Sequence, residues 1–169
     1  MSASPITAES IAILKHISVA TLATALYKRG LRNQVIQDVH PVGRDHGKKS
    51  VPGAPNMVGP AFTLRYMPAR EDRNTLAEFQ NPQHPQRQAI EQCPGGHVLV
   101  MDSRKDARAA SAGDILITRL MMRGVAGVVT DGGFRDSDSI AELDMPAYHH
   151  RPSSPTLSLI HISEPTRPY

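Results

Sequence analysis

Apolar and polar positions alternate in blocks of differing period along this chain. From Thr7 to Ile17 and from Ser18 to Arg29 the spacing is helical. Ser18 is placed to cap the second helix, Val19, Leu22, Ala23 and Leu26 form its apolar stripe, and Gly30 supplies the stop. That stripe is expected to pack into the core or against another subunit. Between Val35 and Pro60 the period is lost among Gly, Pro, Lys and Asn, which reads as loop. Alternation returns over Met57 to Met67, a strand that Pro60 should confine to a bulge or an edge. Asn81-Pro82 and His84-Pro85 mark a loop within the polar stretch Arg70 to Gln92, with a short helix over Gln86 to Gln92. Gly95-Gly96 then introduce the apolar run His97 to Met101, a buried strand followed by a charged turn, Asp102 to Arg108. Ser137 to Leu143 predicts a short helix with Ile140 and Leu143 inward, and Met145 to His149 a strand entered through Pro146.

Ala112 to Asp136 organises the rest. Asp114 can cap a helix by accepting from free backbone N–H groups, and Gly124 sits where a left-handed C-terminal cap wants glycine. Gly127 to Thr130 is a short buried strand, and Asp131-Gly132-Gly133 is a tight turn. Arg135-Asp136 is thereby presented at a strand's carboxyl end, where open α/β sheets keep their ligand sites. Taken alone, two adjacent charges on a turn read as solvated surface.

Composition narrows the function classes. The 169 residues suffice for one domain with a core, and 40% hydrophobic residues fit a globular protein. No apolar run approaches the length that spans a bilayer, and no basic-then-apolar leader opens the chain, so the expected location is cytoplasmic. The single Cys93 agrees with a reducing compartment. A net charge of +3 without basic blocks, four Tyr, three Phe and no Trp leave little for a base-stacking platform, so nucleic-acid binding is not expected. The same charge suits an anionic small substrate or an ordinary solvated surface. His40 and His46 lack a third ligand at a recognisable spacing, and His149-His150 point to opposite faces of a strand, so neither pair reads as a metal site. No lysine argues for a Schiff base, no Ser/His/Asp arrangement is legible, and the glycines do not form G-x-G-x-x-G after a strand.

Asp114, then twenty residues, then Arg135-Asp136, within Gly124-Val125-Ala126-Gly127-Val128-Val129-Thr130-Asp131-Gly132-Gly133-Phe134-Arg135-Asp136, resembles the RraA-like family. Val58-Gly59-Pro60-Ala61 extends the resemblance upstream, so that it covers most of Ile6 to Thr156. The family includes metal-dependent 4-hydroxy-4-methyl-2-oxoglutarate aldolases and the ribonuclease activity regulator RraA. The resemblance implies an α/β fold of the swivelling β/β/α layered type and a homo-oligomer, trimer or hexamer, with its site between subunits. It also implies cleavage of 2-oxo acids such as 4-hydroxy-4-methyl-2-oxoglutarate or oxaloacetate to pyruvate through a metal-stabilised enolate. Asp136 is assigned to Mg²⁺ or Mn²⁺, Arg135 to the substrate carboxylate and enolate oxygen, and Asp114 to proton transfer or to orienting water. Backbone at Gly113, Ile115 and Leu116, at a helix N-terminus, is expected to receive the substrate carboxylate. A different class, a regulator that binds and inhibits an RNA-degrading ribonuclease, is the alternative. A dehydratase-like activity on sugar acids is a third.

The segment Leu157 to Arg167 resembles translated sequencing adapter, so residues 1–156 are expected to carry the RraA-like domain and 157–169 a non-native tail. RraA-like chains continue further, with more strands and a helix of the same domain. This one is therefore expected to be incomplete at its C-terminus, with an exposed sheet edge and apolar surface. The carboxylate that a neighbouring subunit contributes in aldolase members has no counterpart here.

Overall fold

A computed structural model of the chain describes residues 6–43, 56–68, 81–155 and 159–162. Its first element is a bent helix pair, α1 (Ala8–Leu14) and α2 (Val19–Lys28), whose axes meet at 114°. Thr7 and Ser18 cap them, accepting from the backbone of Ser10 and Thr21 at 3.1 Å each. Gly30, at φ +84°, ends α2 with the paired bonds of a Schellman motif: its N–H donates to the Tyr27 carbonyl and that of Leu31 to Leu26. Asn56 secures the pair, donating its side-chain amide to the carbonyls of Leu14 and Ile17. The α2 stripe does not enter the core of this chain. No α2 residue is buried, and Val19 is 61% exposed.

The remaining elements form two sheets. The larger has the order β1-β7-β5-β3-β2-β9, built from β1 (His40–Pro41), β2 (Ala61–Pro68), β3 (Val98–Asp102), β5 (Gly127–Thr130), β7 (Ala147–His149) and β9 (Leu159–Ile162). Strands β2, β3, β5 and β7 run parallel, with Val98 paired to both Ala61 and Gly127. Strands β1 and β9 add antiparallel at the edges. Covered on both faces, the inner parallel strands carry continuous apolar runs, as Val98–Met101 and Gly127–Thr130 do. Pro60 does not force a bulge or an outer position. It precedes β2, where a missing N–H costs the ladder nothing, and β2 is flanked by β3 and β9. Residues 159–162 form β9 against β2, with Leu159 opposite Pro68 and Ile162 opposite Arg65. Residues 69–80 and 44–55, which include His46 and much of both predicted loops, lie outside the described residues.

The smaller sheet, β4-β6-β8, is all parallel and comprises β4 (Ala110–Ala112), β6 (Gly133–Phe134) and β8 (Arg151–Pro152). None of these strands is legible in the sequence, because two or three residues are too few to show a period. Three further helices lie among the described residues: α3 (Pro85–Gln92), α4 (Asp114–Met122) and α5 (Ser137–Ala141). Ile117 and Leu120 of α4 are fully buried in one cluster with Leu64, Tyr66, Leu99, Met101, Val128, Phe134 and Ile140. Burying one such leucine or isoleucine contributes roughly 1.5–3 kcal/mol. Gly124 closes α4 with φ +73°, its N–H donating to Met121 and that of Val125 to Leu120. The cap expected there is a second Schellman motif.

Candidate active site

The spacing between Asp114 and Arg135-Asp136 follows from the smaller sheet. β4 runs into Gly113 and α4, β6 runs into Arg135-Asp136, and the two strands are parallel neighbours with Ala112 paired to Phe134. Two segments twenty residues apart therefore emerge side by side at the carboxyl end of one sheet. The Arg135 N–H donates to the Ala112 carbonyl at 3.1 Å and locks the two exits together.

Side chains then meet over Gly113. Arg135 Nε donates to Asp136 Oδ2 at 3.2 Å, both side chains being about 40% exposed (42% and 40%). A Cβ on Gly113 would fall 2.7 Å from Asp136 Oδ2 and 2.9 Å from Arg135 Nε. A methyl group there would push one or both of these side chains aside, although the backbone, at φ −126°, suits any residue. Asp136 itself has a left-handed backbone, φ 55° and ψ 37°. For a residue with a Cβ this costs about 1–2 kcal/mol, a strain that aims the carboxylate toward Gly113 and Arg135.

A cleft of about 240 Å³ opens beside this pair. Its lining includes Gly113, Asp114, Ile115, Leu116 and Arg135, so five of the six expected site residues border one cleft. Asp136 instead lines an adjoining depression with Ser137, Asp138 and Ser153, and Arg135 borders both.

Helix α4 starts differently from the expectation. Gly113 occupies the N-cap and Asp114 is the first helical residue, its Oδ1 accepting from the Ile115 N–H at 2.7 Å. That N–H is therefore engaged by Asp114 and is not free for a substrate carboxylate. A carboxylate inside the first turn can reach its own neighbour's N–H, so Asp114 satisfies the helix end without being its cap.

The contribution of α3 to the cleft was not found from sequence. His84, Gln86 and Arg87, at the start of α3, line the cleft. Gln86 Nε2 donates to the Ser111 carbonyl at 2.6 Å, and buried Tyr66 donates its hydroxyl to the same oxygen at 2.5 Å. Burial pushes the Tyr66 phenol far above its ordinary range, so it remains a donor. Beneath lie the mutually bonded hydroxyls of Ser103, Ser111 and Thr130, spaced 2.7–3.3 Å apart. Asp131 accepts from the backbone of Ser103 at 2.6 Å and Lys105 at 2.9 Å, which holds the turn after β3 against the one after β5. Pro85, at the first helical position, was the one sequence cue to this helix start.

The adjacent histidines sit in different surroundings. His149 is buried, stacked on Phe134 at 5.7 Å between ring centres, and its Nδ1 has no hydrogen-bond partner. Desolvation, reinforced by His150 and His40, holds it down at about 4. His150 is exposed, its Nδ1 2.9 Å from the Asp38 carbonyl. Among the described residues no group of three or more His, Cys, Asp or Glu converges on a metal-sized site.

A family model described as RraA-like, Aldolase/RraA, matches residues 19–158, most of the chain. The chain belongs to the RraA-like family. RraA-like relatives include a provisionally named 4-hydroxy-4-methyl-2-oxoglutarate aldolase of Burkholderia mallei, 35% identical over 104 residues. That match spans 62% of this chain and 52% of the relative. Protein DlpA of Legionella pneumophila is 29% identical over 92 residues, covering 54% of this chain and 14% of its own length. The chain thus spans about half, or much less, of these curated relatives. Among solved structures, Streptomyces coelicolor RraAS2, described as an unusual member of the RNase ES inhibitor RraA protein family, superposes with a TM-score of 0.71. It is 27% identical, with 95% of this chain and 72% of that one covered. A Pseudomonas syringae protein with the same TM-score and 21% identity shares the fold. The mixed α/β architecture expected from the sequence is therefore that of the RraA proteins.

The donors present suit a hard divalent cation held mainly by oxygen. Asp136 offers a half-exposed carboxylate on a fixed backbone, with one oxygen committed to Arg135. Mg²⁺ and Mn²⁺ are commonly held by one or two carboxylates, with water and substrate oxygens in the other positions.

Proposed function

We propose that this protein is a lyase that cleaves a carbon–carbon bond of a 2-oxo acid and releases pyruvate. The observation that carries this reading is the convergence of Arg135, Asp136, Gly113 and Asp114 at one sheet end, with a cleft on the Arg135 side. A binding surface alone gives no reason for an aspartate with a left-handed backbone paired to an arginine closely over a glycine.

The 2-oxo acid enters with its C1 carboxylate toward Arg135, whose Nη groups are free of the Asp136 contact made through Nε. In the aldol case a base removes the proton of the C4 hydroxyl and the C3–C4 bond breaks, forming the C4 carbonyl. The bonding pair becomes the C2–C3 double bond of pyruvate enolate. A proton delivered to C3 completes pyruvate. With oxaloacetate the same bond breaks with loss of CO₂. Asp136 would hold a divalent cation, which when bound would supply Lewis-acid stabilisation of developing negative charge, several kcal/mol in metal-assisted catalysis. Arg135 balances charge on the enolate oxygen as a permanent cation, and Asp114 stands in the cleft as the proton carrier. The Leu116 N–H, in the first turn of α4, contributes to the anion-binding end of that helix.

The test is pyruvate release from oxaloacetate and from 4-hydroxy-4-methyl-2-oxoglutarate, with Mg²⁺ or Mn²⁺, with chelator, and in Asp136→Ala. Metal-dependent turnover that falls at least about 10³-fold in the variant supports the reading. A folded, metal-loaded protein without turnover overturns it for these substrates. The likeness to RraAS2 favours a second reading, a regulator that binds a ribonuclease. Inhibition indifferent to Asp136→Ala but sensitive to surface charge marks that case. An oligomer is part of either reading, and the exposed apolar residues Val19 and Tyr27 of α2 and Ile115 and Met122 of α4 are the surfaces it would cover.

A further inference from the structure

We propose that Arg87 is the residue that reads the remote carboxylate of a dicarboxylic 2-oxo acid. The assignment rests on the lyase reading and deepens it by fixing which 2-oxo acids are taken. Two arginines line the cleft, Arg135 after β6 and Arg87 on α3, together with one carboxylate, Asp114. Arg135 is already committed through Nε to Asp136, whereas Arg87 makes no ion pair among the described residues. An exposed arginine needs no partner, but this one borders the cleft on a helix that is pinned at both ends. At the start, Gln86 is bonded to the Ser111 carbonyl, two residues before Gly113. At the far end, Glu91 accepts two bonds of 2.9 Å from Arg119 of α4 and one of 3.2 Å from Arg123.

The base of the Arg87 side chain is thus held at a set position relative to Gly113 and Arg135. Two helix N-termini, those of α3 and α4, also border the cleft and add positive potential to it. The volume, about 240 Å³, lies below the roughly 300–1,000 Å³ of sites for drug-sized ligands and suits a small diacid. A ligand with C1 at Arg135 has its other end toward α3. A carboxylate there gains a charge-assisted, fork-matched contact, whereas a methyl group leaves the guanidinium in water.

The test is calorimetric binding of 2-oxoglutarate, a diacid without the C4 hydroxyl needed for cleavage, and of 2-oxobutyrate, its monocarboxylic counterpart. Both are measured in Mg²⁺ buffer with wild type, Arg87→Gln and Arg87→Lys. We expect Arg87→Gln to weaken 2-oxoglutarate at least about tenfold, to leave 2-oxobutyrate within about twofold, and Arg87→Lys to recover part of the loss. Equal weakening of both acids, or of neither, overturns the assignment of Arg87 while leaving the lyase reading in place. Failure of the wild type to bind either acid overturns both.

Discussion

Helices α2 and α4 are built from the same local rules and end in different places. Each closes with a glycine in the left-handed region and the same pair of Schellman bonds. Yet α4 buries Ile117 and Leu120 completely and points its N-terminus into the cleft, while α2 buries no residue. Caps and periodicity decide that a helix forms and where it stops. What the helix is for depends on whether a sheet face lies opposite its apolar stripe.

The contrast is broken most directly by Leu120→Ala against Leu26→Ala. Leu120 is fully enclosed, so truncation should cost about 3 kcal/mol in urea unfolding, from lost transfer energy plus a cavity. The same change at half-buried Leu26 should cost under about 1 kcal/mol. A similar loss at both would mean that α2 packs as tightly as α4.

Gly113→Ala sharpens the comparison at the α4 N-terminus. The backbone accepts alanine, but its methyl group meets both members of the Arg135–Asp136 pair. We expect kcat/KM for pyruvate release to fall about 100-fold, as misplacement near 1 Å can do, with Tm nearly unchanged.

A pH titration of stability tests the floor behind that pair. His149 is held at about 4, below the ordinary 6.5, so the folded state favours its neutral form. The sign follows: this contribution is fully present above 6.5 and is lost as pH falls from 6.5 toward 4. It is worth on the order of 2 kcal/mol. His149→Phe, which keeps a ring against Phe134, should flatten that part of the profile.

The smallest effect separates the two caps. Gly124→Ala and Gly30→Ala each place a Cβ at positive φ in open space, a local cost of about 1 kcal/mol. At Gly124 the cost should appear in global stability. At Gly30 it should appear only as faster amide exchange in the last turn of α2, because that turn can fray without exposing core.

The sequence by itself determined whatever one turn or one strand can specify. Ser18, Gly30 and Gly124 act through bonds within a few residues, and the apolar runs at Val98–Met101 and Gly127–Thr130 are long enough to declare buried parallel strands. Asp114, Arg135 and Asp136 were picked out through the resemblance to the RraA-like family, and the parallel pairing of β4 with β6 brings their segments side by side. The tertiary structure alone decided the smaller sheet, since its strands gain their hydrogen bonds only from one another and are too short to carry a period. It alone placed Gly113, not Asp114, at the cap and brought Arg87 into the same cleft as Arg135. Such contacts join residues tens of positions apart, and their energy exists only once the chain has closed the loops between them.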